Sequence, residues 1–149
     1  MKVQDLLADK NRPVHTIDGN RSVDDAITFM ADVKASALVV AKNDQPVGIF
    51  TERDVFRYYL RDKSTALSGI PLGNAMTDRL IAARPDDEVG RVISMMVKAD
   101  IRHLPVIEEK QIVGMLTLND LIEHQLESLT AEVHQLKDYI DDLHEAGID

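Results

Sequence analysis

Gly48-Ile49-Phe50-Thr51-Glu52-Arg53-Asp54 and Gly114-Met115-Leu116-Thr117-Leu118-Asn119-Asp120 are one seven-residue pattern met twice, 66 residues apart. Sliding the whole chain by the same 66 residues lays residues 23–60 over 89–126 without a gap. Eleven positions are then identical: Val23/Val89, Ile27/Ile93, Met30/Met96, Leu38/Leu104, Val40/Val106, Gln45/Gln111, Val47/Val113, Gly48/Gly114, Thr51/Thr117, Asp54/Asp120 and Leu60/Leu126. Self-similarity at a fixed period is the mark of a repeat architecture. This chain is an internal duplication.

Outward from the motif, each copy reads as strand, helix, strand, strand, helix. In copy one an extended run at 14–17 meets a turn at Asp18-Gly19-Asn20. Ser22 caps a helix whose apolar residues Val23, Ala26, Ile27, Met30 and Val33 fall on one face. Residues 37–41 are an apolar run of strand length, Asn43-Asp44 a turn, and 46–50 the returning strand before a helix from Thr51. Copy two gives a strand at 80–83, a helix capped by Asp86 with Val89, Val92, Ile93 and Met96 on its stripe, strands at 104–107 and 112–116, and a helix from Thr117. A short helix at 3–8 leads copy one, and residues 72–77 hold the matching place before copy two. Residues 61–73 carry Ser, Gly and Pro and read as the linker. One such unit has too few elements to bury its sheet and helices, whereas two together make a core. The expected fold is α/β (α+β): two pseudo-symmetric β-α-β-β-α repeats packed as one disk. The expected divisions are repeat one with its leading helix at 1–68, repeat two at 69–121, and a long C-terminal amphipathic helix at 122–149.

Composition narrows the function. The chain has 149 residues, 44% apolar and 29% charged, with a formal charge of −9. That charge argues against nucleic acid held by a general positive field, and leaves small anions in a local basic pocket. No apolar run approaches the ~20 residues of a membrane span. The opening MKVQDLLADKN turns acidic almost at once and has no signal-peptide core, so the reading is of a cytoplasmic protein. There is no cysteine, which removes disulfides, thiolate metal sites and cysteine nucleophiles. His15, His103, His124, His134 and His144 include no pair at close metal-ligand spacing. No glycine-rich phosphate loop or Gly-x-Ser-x-Gly elbow is present. The expectation is a protein without a catalytic constellation and without a metal site.

The motif itself has two readings. Glycine inside a strand marks close approach by a ligand or another backbone. Threonine at a helix start sets a hydroxyl beside free backbone N–H groups, which suits a phosphate. An ionised aspartate one turn on accepts both vicinal hydroxyls of a ribose. Against this, Thr-x-x-Asp before an apolar run is also a capping box, in which both side chains serve only their own helix.

The repeat, the doubled motif and Ile101-Arg102-His103-Leu104-Pro105-Val106 on the preceding strand together resemble the CBS-domain family, named for cystathionine β-synthase, in its tandem form, the Bateman module. The resemblance covers roughly residues 1–125. It implies a stand-alone regulatory protein of signal transduction, not an enzyme, that binds an adenine nucleotide between its repeats and modulates a partner of unknown identity. AMP, ADP and ATP lead as regulatory ligands, with no obligatory cofactor; NAD(H) and S-adenosylmethionine are alternatives, as is an interaction module with empty clefts. Carried over, the family pattern sets Thr16 and Ile17, and Ala82 and Ala83, beside adenine, with Val39 and Pro105 as apolar contacts. It sets Thr51 and Thr117 at phosphate, Asp54 and Asp120 at ribose, and Arg53, Arg102 and His103 at phosphates. Arg53 reads equally as a solvated helix residue, and the Arg102–His103 pair as a strand-edge salt bridge. Copy one has Ser36 and Ala37 in their place, so the two clefts are expected to differ.

Beyond the resemblance, Ile122, Leu126, Leu129, Val133, Leu136, Ile140 and Leu143 alternate spacings of four and three. That is a heptad seam with Leu126, Val133 and Ile140 at a and the others at d. Glu132 at g and Lys137 at the following e can pair between parallel chains. The expectation is a homodimer through this coiled coil and through the disk faces. An antiparallel partner, or a helix folded back on its own disk, fits the same stripe.

Overall fold

The computed structural model describes residues 1–10, 12–61, 69–77 and 79–147. Its elements are α1 (Val3–Asp9), β1 (Thr16–Asp18), α2 (Val23–Val33), β2 (Ala37–Lys42), β3 (Gln45–Thr51), α3 (Glu52–Arg61), a 3₁₀ turn (Leu72–Asn74), α4 (Val89–Ala99), β4 (His103–Glu108), β5 (Gln111–Thr117) and α5 (Leu118–Glu145). The fold is mixed α/β, with two repeats and a long C-terminal helix, as the sequence indicated. The expected linker at 61–73 lies partly outside the described residues.

The duplication extends to the backbone. α2 and α4 both end on a left-handed residue, Lys34 (φ 56°) and Asp100 (φ 54°), 66 positions apart. Both β-hairpins close through two residues at positive φ, Asn43-Asp44 and Glu109-Lys110, the pattern that matches hairpin twist. Each has its register shift at the same place, between Val40 and Ala41 and between Val106 and Ile107.

Two expectations for copy two are corrected. Residues 80–83 form no strand. In copy one, β1 lies parallel to β2, and its ends are tied by Val39 N–H to the His15 carbonyl (3.0 Å) and Gly19 N–H to the Ala41 carbonyl (2.9 Å). The matching donors in copy two are Pro105 and Pro85, which have no N–H. A single parallel bridge between Ala83 and Val106 remains, carried by Ala83 N–H to Pro105 (2.9 Å) and Ile107 N–H to Ala83 (2.8 Å). Nor does Asp86 cap α4. The cap position is Glu88, which matches Ser22 but makes no side-chain cap bond. The free Val89 N–H is met instead by the Met1 carbonyl at 3.0 Å.

That last bond belongs to a crossing of leaders. α1 precedes copy one in the chain, yet Val3 and Leu6 are buried among Val89, Val92, Met96, Leu104, Leu116 and Leu121 of copy two. Ile70 and Leu72, which precede copy two, are buried among Ile17, Val23, Leu38 and Phe50 of copy one. Backbone bonds fix both: Val3 N–H to Asp87 (2.9 Å) on one side, Val23 N–H to Ile70 and Leu72 N–H to Arg21 (2.9 and 2.7 Å) on the other. Each core is completed by the other copy's leader, so the two repeats are one folding unit.

Candidate functional site

Where β3 turns into α3, the chain presents Thr51, Arg53 and Asp54 to a cleft of about 1290 Å³. The opposite wall is copy two: the face of α4 that carries Arg91, Met95 and Lys98, then Asp100, Ile101, Arg102 and His103. Asp54 is 6% exposed. One of its carboxylate oxygens accepts from the Thr51 N–H (3.0 Å) and hydroxyl (3.4 Å), the other from the Thr77 hydroxyl (3.1 Å). Arg53 spans the cleft end, donating to the Asp100 carbonyl at 2.8 Å and its carboxylate at 3.2 Å. It is thus a tie between copies rather than a solvated side chain.

The cleft is basic in an acidic protein. Arg53, Arg57, Arg79, Arg91, Lys98 and Arg102 line it, against the carboxylates of Glu52, Asp54, Glu88 and Asp100. Arg53 and Arg91 are paired, with Asp100 and Glu88. Arg57, Arg79, Lys98 and Arg102 have no carboxylate within ion-pair distance among the described residues. His103 stands at the divide and lines the second cleft as well, its Nε2 lying 2.8 Å from Ser36 Oγ. Burial holds its pKa below the ordinary imidazole value; Glu52 pulls the other way, but Arg12, Arg102 and Arg53 reinforce the lowering.

The second cleft, about 420 Å³, is bordered by residues 12–15, the turn after α2, His103, Met115 and Thr117. It is the smaller, pseudo-symmetric counterpart of the first, and its motif side chains are already engaged. Thr117 and Asp120 form a complete capping box for α5. Arg12 clamps the Asp120 carboxylate through both guanidinium nitrogens, at 2.9 and 3.0 Å. Burial alone would raise the Asp120 pKa, but the Thr117 N–H and hydroxyl and the Arg12 guanidinium outweigh it and hold the carboxyl below its usual range. Phe29, the counterpart of Met95, packs edge-on against His15 at 5.8 Å.

Of the residues expected at a ligand, Thr51, Arg53, Asp54, Arg102 and His103 meet in the first cleft, and Thr117 and His103 border the second. Asp120 lies behind Arg12. Thr16, Ile17, Val39, Ala82, Ala83 and Pro105 line neither cleft. Ile17 and Ala83 point into the two cores, Val39 and Pro105 are buried on the other strand face, and Thr16 is turned to solvent. The lining residues sit one place earlier, at His15 and Ile81. The sequence reading also passed over Arg12, Thr77 and Arg79. Their one signal is position: each lies in the short stretch between the buried apolar residues of a leader and the apolar run that follows it. Among the described residues no group of three His, Cys, Asp or Glu side chains is placed to hold a metal, and no helix is long and apolar enough to cross a membrane.

The CBS-domain family model matches residues 3–61 and again 72–127. The chain belongs to the CBS-domain family. This CBS pair is 32% identical over 124 residues to the Arabidopsis thaliana protein CBSX3, described as mitochondrial; the match covers 80% of this chain and 60% of that protein's length. The fold is that of the CBS-domain protein ATU1752 of Agrobacterium tumefaciens, with a TM-score of 0.77, 27% identity, and 84% and 99% of the two chains covered. A further CBS pair, from protein MJ0100, was solved with 5′-methylthioadenosine and S-adenosyl-L-methionine; it has a TM-score of 0.70 and 25% identity, with 86% of this chain and 97% of that one covered.

Proposed function

We propose that this CBS pair is a sensor of adenine nucleotides that binds its ligand in the larger cleft and passes occupancy to a partner protein as a homodimer. One observation carries the reading: the Thr51 hydroxyl and the buried Asp54 carboxylate face Arg102 and His103 across a 1290 Å³ opening. Ribose hydroxyls have a fixed acceptor on one wall and phosphates have cations on the other. The adenosyl compounds held by the MJ0100 pair support the class. The second cleft favours the other reading of the motif, since Thr117 caps its helix and Asp120 is spent on Arg12. The proposed role is regulatory and has no catalytic step, so prolonged incubation with ATP and magnesium is expected to yield no product.

Titration calorimetry tests the site. Asp54→Ala is expected to cost about 1.5–3 kcal/mol, typical of hydrogen bonds to a charged group, or a loss of roughly tenfold to a hundredfold in affinity. Asp120→Ala is expected to lower the melting temperature and leave nucleotide affinity alone. Wild-type affinity in Asp54→Ala, with a lowered melting temperature, would make Asp54 a helix cap and sink the proposal.

A further inference from the structure

His103 stands where the two copies meet and borders both clefts. Its counterpart 66 residues earlier is Ala37, and its neighbour Arg102 answers to Ser36, so this imidazole has no twin in copy one. Its Nε2 lies 2.8 Å from Ser36 Oγ, across the divide. A hydroxyl donates to a bare ring nitrogen or accepts from a protonated one, so the contact survives either charge state. The Ser36 carbonyl accepts from the Glu52 N–H at 3.2 Å, which joins the imidazole to the start of α3. Charged groups face the ring from several elements. α3 brings Glu52 and Arg53, β4 brings Arg102, and the stretch before β1 brings Arg12. Lys34, after α2, borders the small cleft beside it, while Met115 and Thr117 of β5 add no charge. Arg53 is engaged with Asp100 and Arg12 with Asp120, so Glu52 is the group that favours a charged ring. Half buried among them, the imidazole is neutral in the free protein at pH 7.

We propose that His103 is a proton switch for the large cleft: an anionic ligand binds there together with a proton taken up by the imidazole, so occupancy rises as pH falls. This deepens the nucleotide reading and rests on it. An anion at this wall supplies the opposite charge that the ring lacks, and such a charge within about 4–6 Å favours the protonated form. It also compensates Arg102, which has no carboxylate within ion-pair distance among the described residues. Coupling between two bound species is reciprocal. If the anion draws a proton on to His103, the proton strengthens the anion by the same factor.

The probe is whichever of AMP, ADP and ATP binds the full chain tightest. Nuclear magnetic resonance follows the imidazole protons between pH 8 and 5.5, with and without saturating nucleotide. The His103 signal is the one absent from His103→Gln or, should that variant not fold, the one left after Gln variants of the other four histidines are read. Its midpoint is expected to rise by about one pH unit or more on binding. Calorimetry gives the reciprocal effect. From pH 8 to 6, wild-type affinity is expected to gain at least twofold relative to His103→Gln. The nucleotide's own terminal phosphate titrates near pH 6 in both proteins, so it cancels in that ratio. His134→Gln, on the exposed part of α5, is expected to keep the wild-type pH dependence. A His103 midpoint that stays put or falls on binding overturns the switch and leaves the nucleotide reading standing. A wild-type pH dependence in His103→Gln does the same. Binding of none of the three nucleotides at any pH overturns the reading beneath it.

Discussion

At the scale of single residues, Gly48 and Gly114 occupy one repeat position, yet a methyl group on each would meet different neighbours. On Gly48 it would lie 2.6 Å from the Thr77 carbonyl oxygen and 2.8 Å from Met76 Sδ; on Gly114 it would meet Leu7 Cδ2 at 2.5 Å. The first obstacle is backbone, paired to β3 by two Ile49–Thr77 hydrogen bonds of 3.0 and 3.1 Å. The second is the end of a flexible side chain. Gly48→Ala is therefore expected to destabilise by about 1–3 kcal/mol, the range for overpacking, and Gly114→Ala by less; urea unfolding of both variants checks the order. His103 gives a pH dependence. Its native pKa lies below the ordinary 6.5, so as pH falls past 6.5 the unfolded chain takes up the proton first. Stability is full above 6.5 and declines as pH descends toward the native value. Wild type is expected to lose more unfolding free energy between pH 7.5 and 5.5 than His103→Gln, and identical losses would contradict the lowered pKa of this half-buried imidazole. The motif residues around this site were legible because a doubled Thr-x-x-Asp is rare by chance. Arg12 was not, since nothing local says which distant carboxylate a lone arginine will find.

Among the elements, α5 departs furthest from its counterpart. α3 has 10 residues and α5 has 28, although both begin at the motif. Only its first turn is buried, through Asp120 and Leu121. Beyond it Leu126, Leu129, Val133, Leu136 and Ile140 are 48–64% exposed, a narrow apolar stripe. An a/d stripe left in water is the geometry of a seam awaiting a second helix, and the proposed dimer uses it. A chain ending after Glu123 keeps the buried turn, so it is expected to fold with a similar melting profile at high concentration. Its dimer dissociation constant, followed by light scattering on dilution, is expected to rise at least tenfold; an unchanged constant would remove α5 from the interface. The heptad could be read directly because its period is local. The missing strand at 80–83 was also written in the sequence, as prolines 85 and 105 at the two donor positions, but only the paired geometry of copy one shows which N–H groups matter.

Over the whole molecule the governing feature is the exchange of leaders, which no local pattern announces: the short helix at 3–9 is equally amphipathic whichever core it enters. Because Val3 and Leu6 complete copy two while Ile70 and Leu72 complete copy one, cutting between the repeats leaves both cores open. Residues 1–68 and 69–149 made separately are expected to show no cooperative unfolding as monomers and to regain it when mixed in equal amounts, as followed by circular dichroism. A half that melts cooperatively alone would refute the mutual dependence. The exchange also bears on ancestry. A chain with one unit has only another identical chain from which to borrow its leader, an association that dilution undoes. Joined in one chain, the borrowing becomes a ring closure, with an effective concentration on the order of millimolar for a short tether. Two identical subunits must also carry identical clefts, since every substitution appears on both sides of the axis. Fusion lifts that constraint, and with it one copy was free to set Arg91 and Lys98 where the other keeps Asp25 and Asp32.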